Sequence, residues 1–452
     1  MTVYERAEDK YIYEGRSFFG RLRVNETSRD DDAWARLPRL YEHQRPPYEW
    51  KVYRRLMHGG INHGQQIVQY KDDRAVYPVL AATTVGLLGS PLGEGPLLAG
   101  MAAFPDRTEV VFEFHELLMR KRREPITYFY ERNGVAELFY KLCWPKSQPV
   151  AEIANMNGAS DARMPASMVG LAGGDLAAWT MLANTQSEPP FAVVGLGTGI
   201  LACYAKPYQH VDFYEIDPLV KNLSIAPGYV PPWHEERQKM PKNLPDPMFY
   251  FVHDAQERWA KIDVKLGDGR LKIKEAPQNY YHVIVLDAFS SDAIPVHLLT
   301  TEAVQLYLDK LADGGVLLFN TTNRYVRIEG VLASIARDLE LDCLKCSDWG
   351  YRPESYPDNT NHPDRYSADW VVLQRKIEKT TYRNGGLPIR DRLEESRKRL
   401  MWNGKPALKA NAEEFIEERW RTVDPLPGAA WTDGYSNMLN PRVMPWLIPW
   451  RE

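Results

Sequence analysis

Phe191-Ala-Val-Val-Gly195-Leu-Gly197-Thr198-Gly199-Ile200 is the stretch on which the fold turns. Four apolar residues of strand character run into a loop with a glycine at every second position, and a helical segment follows. Glycines there let the backbone turn tightly and approach a ligand closely. Twenty residues after Gly195, Glu215 ends the apolar run Val211-Asp-Phe-Tyr-Glu-Ile-Asp217. A carboxylate at the end of a second strand, in register with such a loop, can take both hydroxyls of a ribose. Gly195, Gly197, Thr198, Gly199 and Glu215 are therefore candidate nucleoside-binding residues.

The loop spacing separates two ligand classes. It is G-x-G-x-G, with Ile200 where a dinucleotide fingerprint carries its third glycine. That weakens an NAD site and favours the adenosyl ligand of a methyltransferase-like sheet, which has no pyrophosphate to cradle. Downstream, Leu266-Gly-Asp268-Gly269-Arg270 follows a third strand candidate. A lone Asp-Gly is usually a turn, but in a doubly wound sheet this loop lies at the ligand crevice beside the first. Asp268 can accept from the exocyclic amine of an adenine there.

The opposite side of the crevice carries the reactive groups. Tyr281-His-Val-Ile-Val-Leu-Asp287 is a buried strand ending in a carboxylate, and Asp292 follows in Ala288-Phe-Ser-Ser-Asp292-Ala-Ile-Pro295. Two aspartates on a strand-end loop suit a cationic, nucleophilic amine. An alkylamine with a pKa of about 10.4 must lose a proton before it attacks. A nearby carboxylate can bind the cation and then take that proton. The competing role for either aspartate is to cap the next helix.

From Phe191 onward, strands alternate with helical segments, the sign of a parallel α/β sheet. Strands are expected at Phe191–Gly195, His210–Glu215, Val264–Leu266, His282–Asp287 and Gly315–Asn320, and helices at Thr301–Leu311 and Glu329–Asp338. Leu341–Cys346 and Asp369–Gln374 are separated by a Pro/Asn-rich loop too short for a crossover helix. They predict an antiparallel final pair. Tyr11–Tyr13 and Phe18–Val24 read as short N-terminal strands. The expected organisation is an N-terminal β domain (1–70), an insertion and linking segment (71–185), a Rossmann-like adenosyl-binding catalytic domain (186–376), and a C-terminal tail with one charged helix, Asn411–Arg421 (377–452).

Composition limits the partners. The 452 residues carry 56 Lys+Arg against 60 Asp+Glu, a net charge of −4, so no global basic field exists to hold a nucleic acid. Thirty-three prolines and thirteen tryptophans predict long ordered loops with aromatic anchors. Four cysteines make no disulfide framework and fit a reducing compartment, and the cytoplasm is expected. The polar start has no apolar core of a signal peptide. Ala75–Gly93 is uncharged, but Pro78, Gly86, Gly89, Pro91 and Gly93 interrupt it. It reads as a buried or partner-facing insertion rather than a spanning helix, which leaves room for a membrane-associated partner through 71–105. A homo-oligomer is expected. Cys343 and Cys346 lie i, i+3 on a strand, on opposite faces, and His58 and His63 sit five apart in a glycine-rich segment; no metal site is expected.

Val193 to Asn323 resembles the aminopropyltransferase (spermidine synthase) family. Asp287-Ala-Phe-Ser-Ser-Asp-Ala-Ile-Pro-Val-His-Leu-Leu-Thr300 resembles, more narrowly, the spermidine-synthase-like proteins often fused to a membrane transporter domain. Arg16–Val24, the segment Met57-His58-Gly-Gly-Ile-Asn-His63-Gly64-Gln-Gln66, and the closing Trp431-Thr-Asp433-Gly-Tyr435-Ser-Asn437 are also similar to that group. The resemblance implies a class I methyltransferase-like sheet behind a small N-terminal β domain. It also implies a decarboxylated S-adenosylmethionine donor and a diamine acceptor such as putrescine. On that footing Glu215 would hold the ribose, Asp268 with Gly269 the adenine, and Gln66 would join the donor site. Asp287 would be the base, and Asp292 would bind the substrate amine. Tyr128 and Tyr130 would be pocket aromatics, the first beside the reacting atoms. His63, Asp433 and Tyr435 would line the substrate side. The chain departs from the family at Thr198, where an aspartate usually meets the donor's ammonium, and at Gly434, where the closing motif has an aspartate. Two other functions stay open: an S-adenosylmethionine-dependent methyltransferase, and a catalytically lapsed adenosyl-binding subunit of a larger assembly.

Overall fold

The computed structural model describes residues 10–30, 49–58, 61–72, 122–130, 134–139, 189–288, 295–323, 326–349, 366–376, 420–437 and 443. β1 (Lys10–Ser17), β2 (Gly20–Asp30), β3 (Glu49–His58) and β4 (Ile61–Asp72) form an antiparallel meander in chain order. Phe18 and Phe19, read as strand from sequence, make the tight turn between β1 and β2, with Phe18 97% exposed. The glycine at position 20 (φ 138°) explains the reversal: a Cβ there would meet the His58 ring.

The second sheet has eight strands. β5 (Phe191–Val194), β6 (His210–Glu215), β7 (Lys261–Leu266), β8 (Tyr281–Leu286) and β9 (Leu311–Asn320) are parallel, in the order β9-β8-β5-β6-β7. β10 (Leu341–Trp349) and β11 (Ser367–Arg375) add beyond β9, with β11 antiparallel to both neighbours. This parallel sheet with an antiparallel end is the class I methyltransferase-like, Rossmann-like arrangement. β12 (Trp420–Thr422) completes the edge against β10, with Cys346 opposite Trp420. Trp420 and Arg421 are therefore strand, not the end of a helix; residues 411–419 of that expected helix lie outside the described residues. Burying Trp420 against the sheet decides the local outcome.

β5 is fully buried and β8 is buried at every residue but His282, and both read as largely apolar runs because both faces are covered. One face packs Val193, Phe213, Val285 and Trp370 together with Leu22, Leu56 and Ile67 of the N-terminal sheet, so the two sheets share a core. The other face packs Ile284, Leu286 and Phe319 under α5 (Thr301–Lys310) and α6 (Glu329–Asp338). Cys346 and Cys343 fall on opposite faces, as the strand alternation requires. No helix of the described residues is long and apolar enough to cross a membrane. Residues 73–105, which contain the uncharged stretch, lie outside the described residues.

Candidate active site

The chain leaves β5 toward β6 and β7 on one side, then returns to β8 and β9 on the other. A crevice therefore opens at the carboxyl ends of β5 and β8. The glycine loop forms one lip and Asp287 the other. They meet through backbone, with Asp287 N donating to Val194 O at 2.9 Å, while Gly195 N fastens the loop to β6 by donating to Tyr214 O at 2.8 Å. A Cβ on Gly195 (φ 99°) would lie 2.5 Å from the Asp287 carbonyl oxygen. Only glycine lets the two lips meet.

Glu215 holds the loop in shape. Its Oε2 accepts from Leu196 N and its Oε1 from Asp217 N, each at 2.8 Å. Burial raises its pKa, opposed by those two backbone donors. With a third backbone hydrogen bond from Ile216, the carboxylate still keeps a lone pair for a ribose hydroxyl. Asp217 caps α2 (Pro218–Ser224) by accepting from Leu219 N and takes a 2.5 Å bond from Ser17 Oγ, which ties the β1–β2 turn to the crevice.

Asp268 caps α4 (Gly269–Ile273), which follows α3 (Phe251–Glu257); α1 is the short Gly134–Glu137. Its Oδ1 accepts from Leu271 N, and its Oδ2 lies 3.0 Å from His297 Nε2. Gly269 is demanded by packing, since a Cβ would sit 2.4 Å from Val194 Cγ1. Ile216, Leu266 and Leu271 are 44%, 39% and 68% exposed beside these two carboxylates, an apolar rim at the ends of β6 and β7. Sequence reasoning passed over them because apolar residues at strand ends read as core.

Asp287 is a strongly perturbed carboxyl of the crevice. Burial pushes it up to about 7, against the opposing hydrogen bond from Asn320. Asn320 Nδ2 donates to Asp287 Oδ1 at 2.7 Å, while its own Oδ1 accepts from Thr322 N. Asn320 was missed because an Asn at a strand end reads as turn punctuation. Asp292 lies outside the described residues.

The N-terminal sheet closes the crevice from above. Gln66 spends both ends of its amide on backbone, donating to Arg122 O at 2.8 Å and accepting from Tyr250 N at 2.7 Å. Its visible work is to fasten β4 to the Arg122 segment and to the start of α3. Thr198 is fully enclosed against Gly64, not open to the crevice, whereas the backbone at Gly195 and Gly197 remains partly accessible. Gly199 (φ 77°) turns the loop into a 3-10 segment, Ile200–Tyr204. Burial, then the neighbouring His58, hold His63 down to about 4, so it is neutral near pH 7.

Tyr128 and Tyr130 are half-buried. The Tyr128 ring meets Tyr366 edge-on at 5.4 Å. Tyr366, a further residue not singled out from sequence, donates to Gln65 Oε1 at 3.0 Å and so joins the aromatic pair to β4. Asp433 is engaged elsewhere: it receives both Nη1 and Nη2 of Arg270 at 2.7 Å, and Thr300 Oγ1 at 2.7 Å. Arg270's hydrogen bonds, foremost, hold Asp433 down to about 2. Tyr435 is half exposed, bridged to Thr432 through backbone. Among the described residues no group of three or more His, Cys, Asp or Glu is arranged to hold a metal ion.

No family model matches the chain. The polyamine aminopropyltransferase of Vibrio vulnificus (strain CMCP6) is 31% identical over 146 residues, 31% of this chain. The chain spans 40% of the length of that curated relative. Among solved structures, a probable spermidine synthase from Corynebacterium glutamicum is 16% identical, with a TM-score of 0.30 over 55% of this chain and 73% of that one. Thermotoga maritima spermidine synthase is 15% identical, TM-score 0.28, over 52% and 66%. A spermidine synthase in complex with the transition-state analogue AdoDATO is 11% identical, TM-score 0.34, over 91% and 84%. The sheet order and glycine loop make the class I methyltransferase-like fold. Within it, the 146-residue match makes this chain spermidine-synthase-like in sequence.

Proposed function

We propose that this chain is an aminopropyltransferase of the spermidine synthase type. It moves an aminopropyl group from decarboxylated S-adenosylmethionine to a small amine such as putrescine. The observation that carries the proposal is Asp287, a carboxyl raised to about 7 at the switch point of the sheet and in backbone contact with the glycine loop. A base that titrates near the working pH is half ionised there and suited to taking a proton from an ammonium.

In this reading the adenosine lies along the glycine loop, with its ribose at Glu215. Its base rests on the apolar rim of Ile216 and Leu266 near Asp268. Tyr128, Tyr130 and Tyr366 supply aromatic walls that favour a cation. The amine is deprotonated by Asp287 and attacks the methylene next to the sulfonium. The C–S bond breaks with its electron pair going to sulfur, and methylthioadenosine leaves uncharged. Positioning supplies most of the rate, since little new charge develops. Asp292 would hold the amine's far end. Four cysteines in 452 residues are too few for a disulfide framework, which favours a reducing compartment, and the cytoplasm is the one proposed.

A methyltransferase is the second reading. Thr198 favours it, because a neutral residue stands where a carboxylate would select against intact S-adenosylmethionine. Incubation with each donor and a panel of diamines, with products identified by mass, decides between them. Methylthioadenosine plus a product heavier by an aminopropyl unit supports the first. Adenosylhomocysteine plus a methylated product supports the second.

A further inference from the structure

Four residues at the mouth of the crevice form an unbroken line of hydrogen bonds. Asp433 takes both Nη1 and Nη2 of Arg270 at 2.7 Å, and its Oδ1 also accepts from Thr300 Oγ1 at 2.7 Å. Nη1 of the same Arg270 donates to the carbonyl oxygen of His297 at 3.0 Å. The His297 ring then reaches Asp268, its Nε2 lying 3.0 Å from Oδ2. The other oxygen of Asp268 accepts from Leu271 N at 3.0 Å. The line starts on the C-terminal segment and ends on a carboxylate at the end of β7, beside the exposed apolar rim of Leu266 and Leu271.

Stability does not account for the line. Asp433 and His297 are exposed, and ion pairs at exposed positions add little to stability. What a bidentate Arg–carboxylate pair does supply is geometry. Here it joins α4, which carries Arg270, to Thr300 at the start of α5 and to the short 3-10 segment of His297. A carboxylate has only acceptors, so the hydrogen between His297 and Asp268 belongs to Nε2. With one donor on each oxygen, Asp268 is held against rotation and its remaining lone pairs have a fixed direction. Those lone pairs suit a group with hydrogens to give. The 6-amino group of adenine brings two, whereas the 6-oxygen of hypoxanthine brings lone pairs and meets repulsion.

We propose that Asp433 and His297 are positioning residues for nucleobase selection: Asp433 holds Arg270, Arg270 holds the His297 carbonyl, and the His297 ring presents Asp268 as an acceptor for a 6-amino purine. This rests on the adenosyl-donor reading above. It gives the C-terminal segment a function on the nucleoside side of the crevice.

The test is calorimetric titration of the full chain with methylthioadenosine and methylthioinosine, which carry a 6-amino and a 6-oxo purine on the same sugar. Wild type should bind the 6-amino ligand about tenfold to a hundredfold more tightly, the effect of a hydrogen bond to a charged acceptor. His297→Leu and Asp433→Asn should each reduce that preference by about tenfold, with the loss falling on the 6-amino ligand. His297→Gln carries an N–H to the place of Nε2 and should retain the preference. Combining His297→Leu with Asp433→Asn should cost no more preference than His297→Leu alone, because Asp433 acts through His297. Melting curves check the folding of each variant, and Arg270→Met breaks the same link should Asp433→Asn not fold. A wild-type preference that persists in folded His297→Leu overturns the inference, as do additive losses in the double variant. Equal affinity of wild type for the two ligands also overturns it and leaves the adenosyl-donor reading standing. If wild type binds neither, the adenosyl-donor reading itself fails, and the positioning role with it.

Discussion

The side-chain amide of Asn320 donates to Oδ1 of Asp287 at 2.7 Å, while its own oxygen is held by Thr322 N at 3.0 Å. The second bond fixes the orientation of the amide, so the nitrogen always faces the carboxylate. This donor stabilises the charged form and lowers the Asp287 pKa, and burial, the larger effect, carries it up to about 7. In Asn320→Leu the opposing donor is gone. The acidic limb of the pH–rate profile is then expected to move to higher pH, with rate at pH 9 closer to wild type than rate at pH 7. An acidic limb that stays in place excludes Asp287 as the group it reports.

Replacing the carboxyl itself separates chemistry from binding. Asp287→Asn should lower turnover by about 10²–10⁴-fold, the usual worth of a general base, and leave donor affinity near wild type in a titration. Stability should move the other way. The folded pKa, about 7, lies above the usual aspartate value of 3.8, so between them the folded state binds more protons than the unfolded state. Stability is therefore lost as pH rises from about 4 through 7. Asp287→Asn should melt higher than wild type at pH 8 and close to it at pH 4, which melting curves at the two pH values will show.

Glu215 is a scaffold as well as the proposed ribose ligand. Glu215→Ala leaves the N–H groups of Leu196 and Asp217 without their acceptors. A loss of about 1–3 kcal/mol is expected from urea unfolding, as for other buried donors left unpaired, together with weaker binding of methylthioadenosine. A variant of unchanged stability would leave the ribose as the residue's whole purpose.

Gly195→Ala should be the most damaging conservative change in the crevice. Its Cβ would stand 2.5 Å from backbone oxygen of Asp287, an atom that cannot swing aside, and φ is 99°. Gly434→Ala is the matched control: a Cβ at Gly434 has nothing within 4 Å, and a surface change of that kind stays within about 0.5 kcal/mol. Soluble yield and melting temperature of the two variants should diverge sharply. Equal behaviour would mean that the lips of the crevice do not meet as described.

The parts of the fold legible in sequence were those whose cause is local. His210–Glu215 and Glu329–Asp338 have the bounds their patterns gave, because each carries its own periodicity. β9 starts at Leu311, four residues before the expected Gly315. Asp313-Gly314-Gly315 reads as a turn, and only the pairing with β8, through a register shift after Tyr281, keeps it in the sheet. Trp420 and Arg421 looked like the end of a charged helix because their strand partner, β10, lies far back in the chain. The glycine loop, Glu215 and Asp287 were legible since loop and strand end specify them. Asn320, Tyr366 and the exposed rim at Ile216 and Leu266 were not, because their roles exist only once distant strands lie side by side.

Residues 420–437 run from the sheet's far edge to the mouth of the crevice. Leu426 N donates to Ser334 Oγ on α6, Thr301 N to Trp431 O at the start of α5, and Asp433 clamps Arg270 and Thr300. A chain emerging from the ribosome presents its glycine loop, Glu215 and Asp287 well before these residues exist. Domains begin to fold from the N-terminal side during synthesis, so the parallel strands can assemble while the mouth still lacks its last contacts. The contacts of Asp433 with Arg270 and Thr300 therefore form late in translation. A stalled nascent chain released before residue 433 should carry the folded strands without the Asp433 clamp, a molecule that has acquired its architecture and not yet its finished entrance.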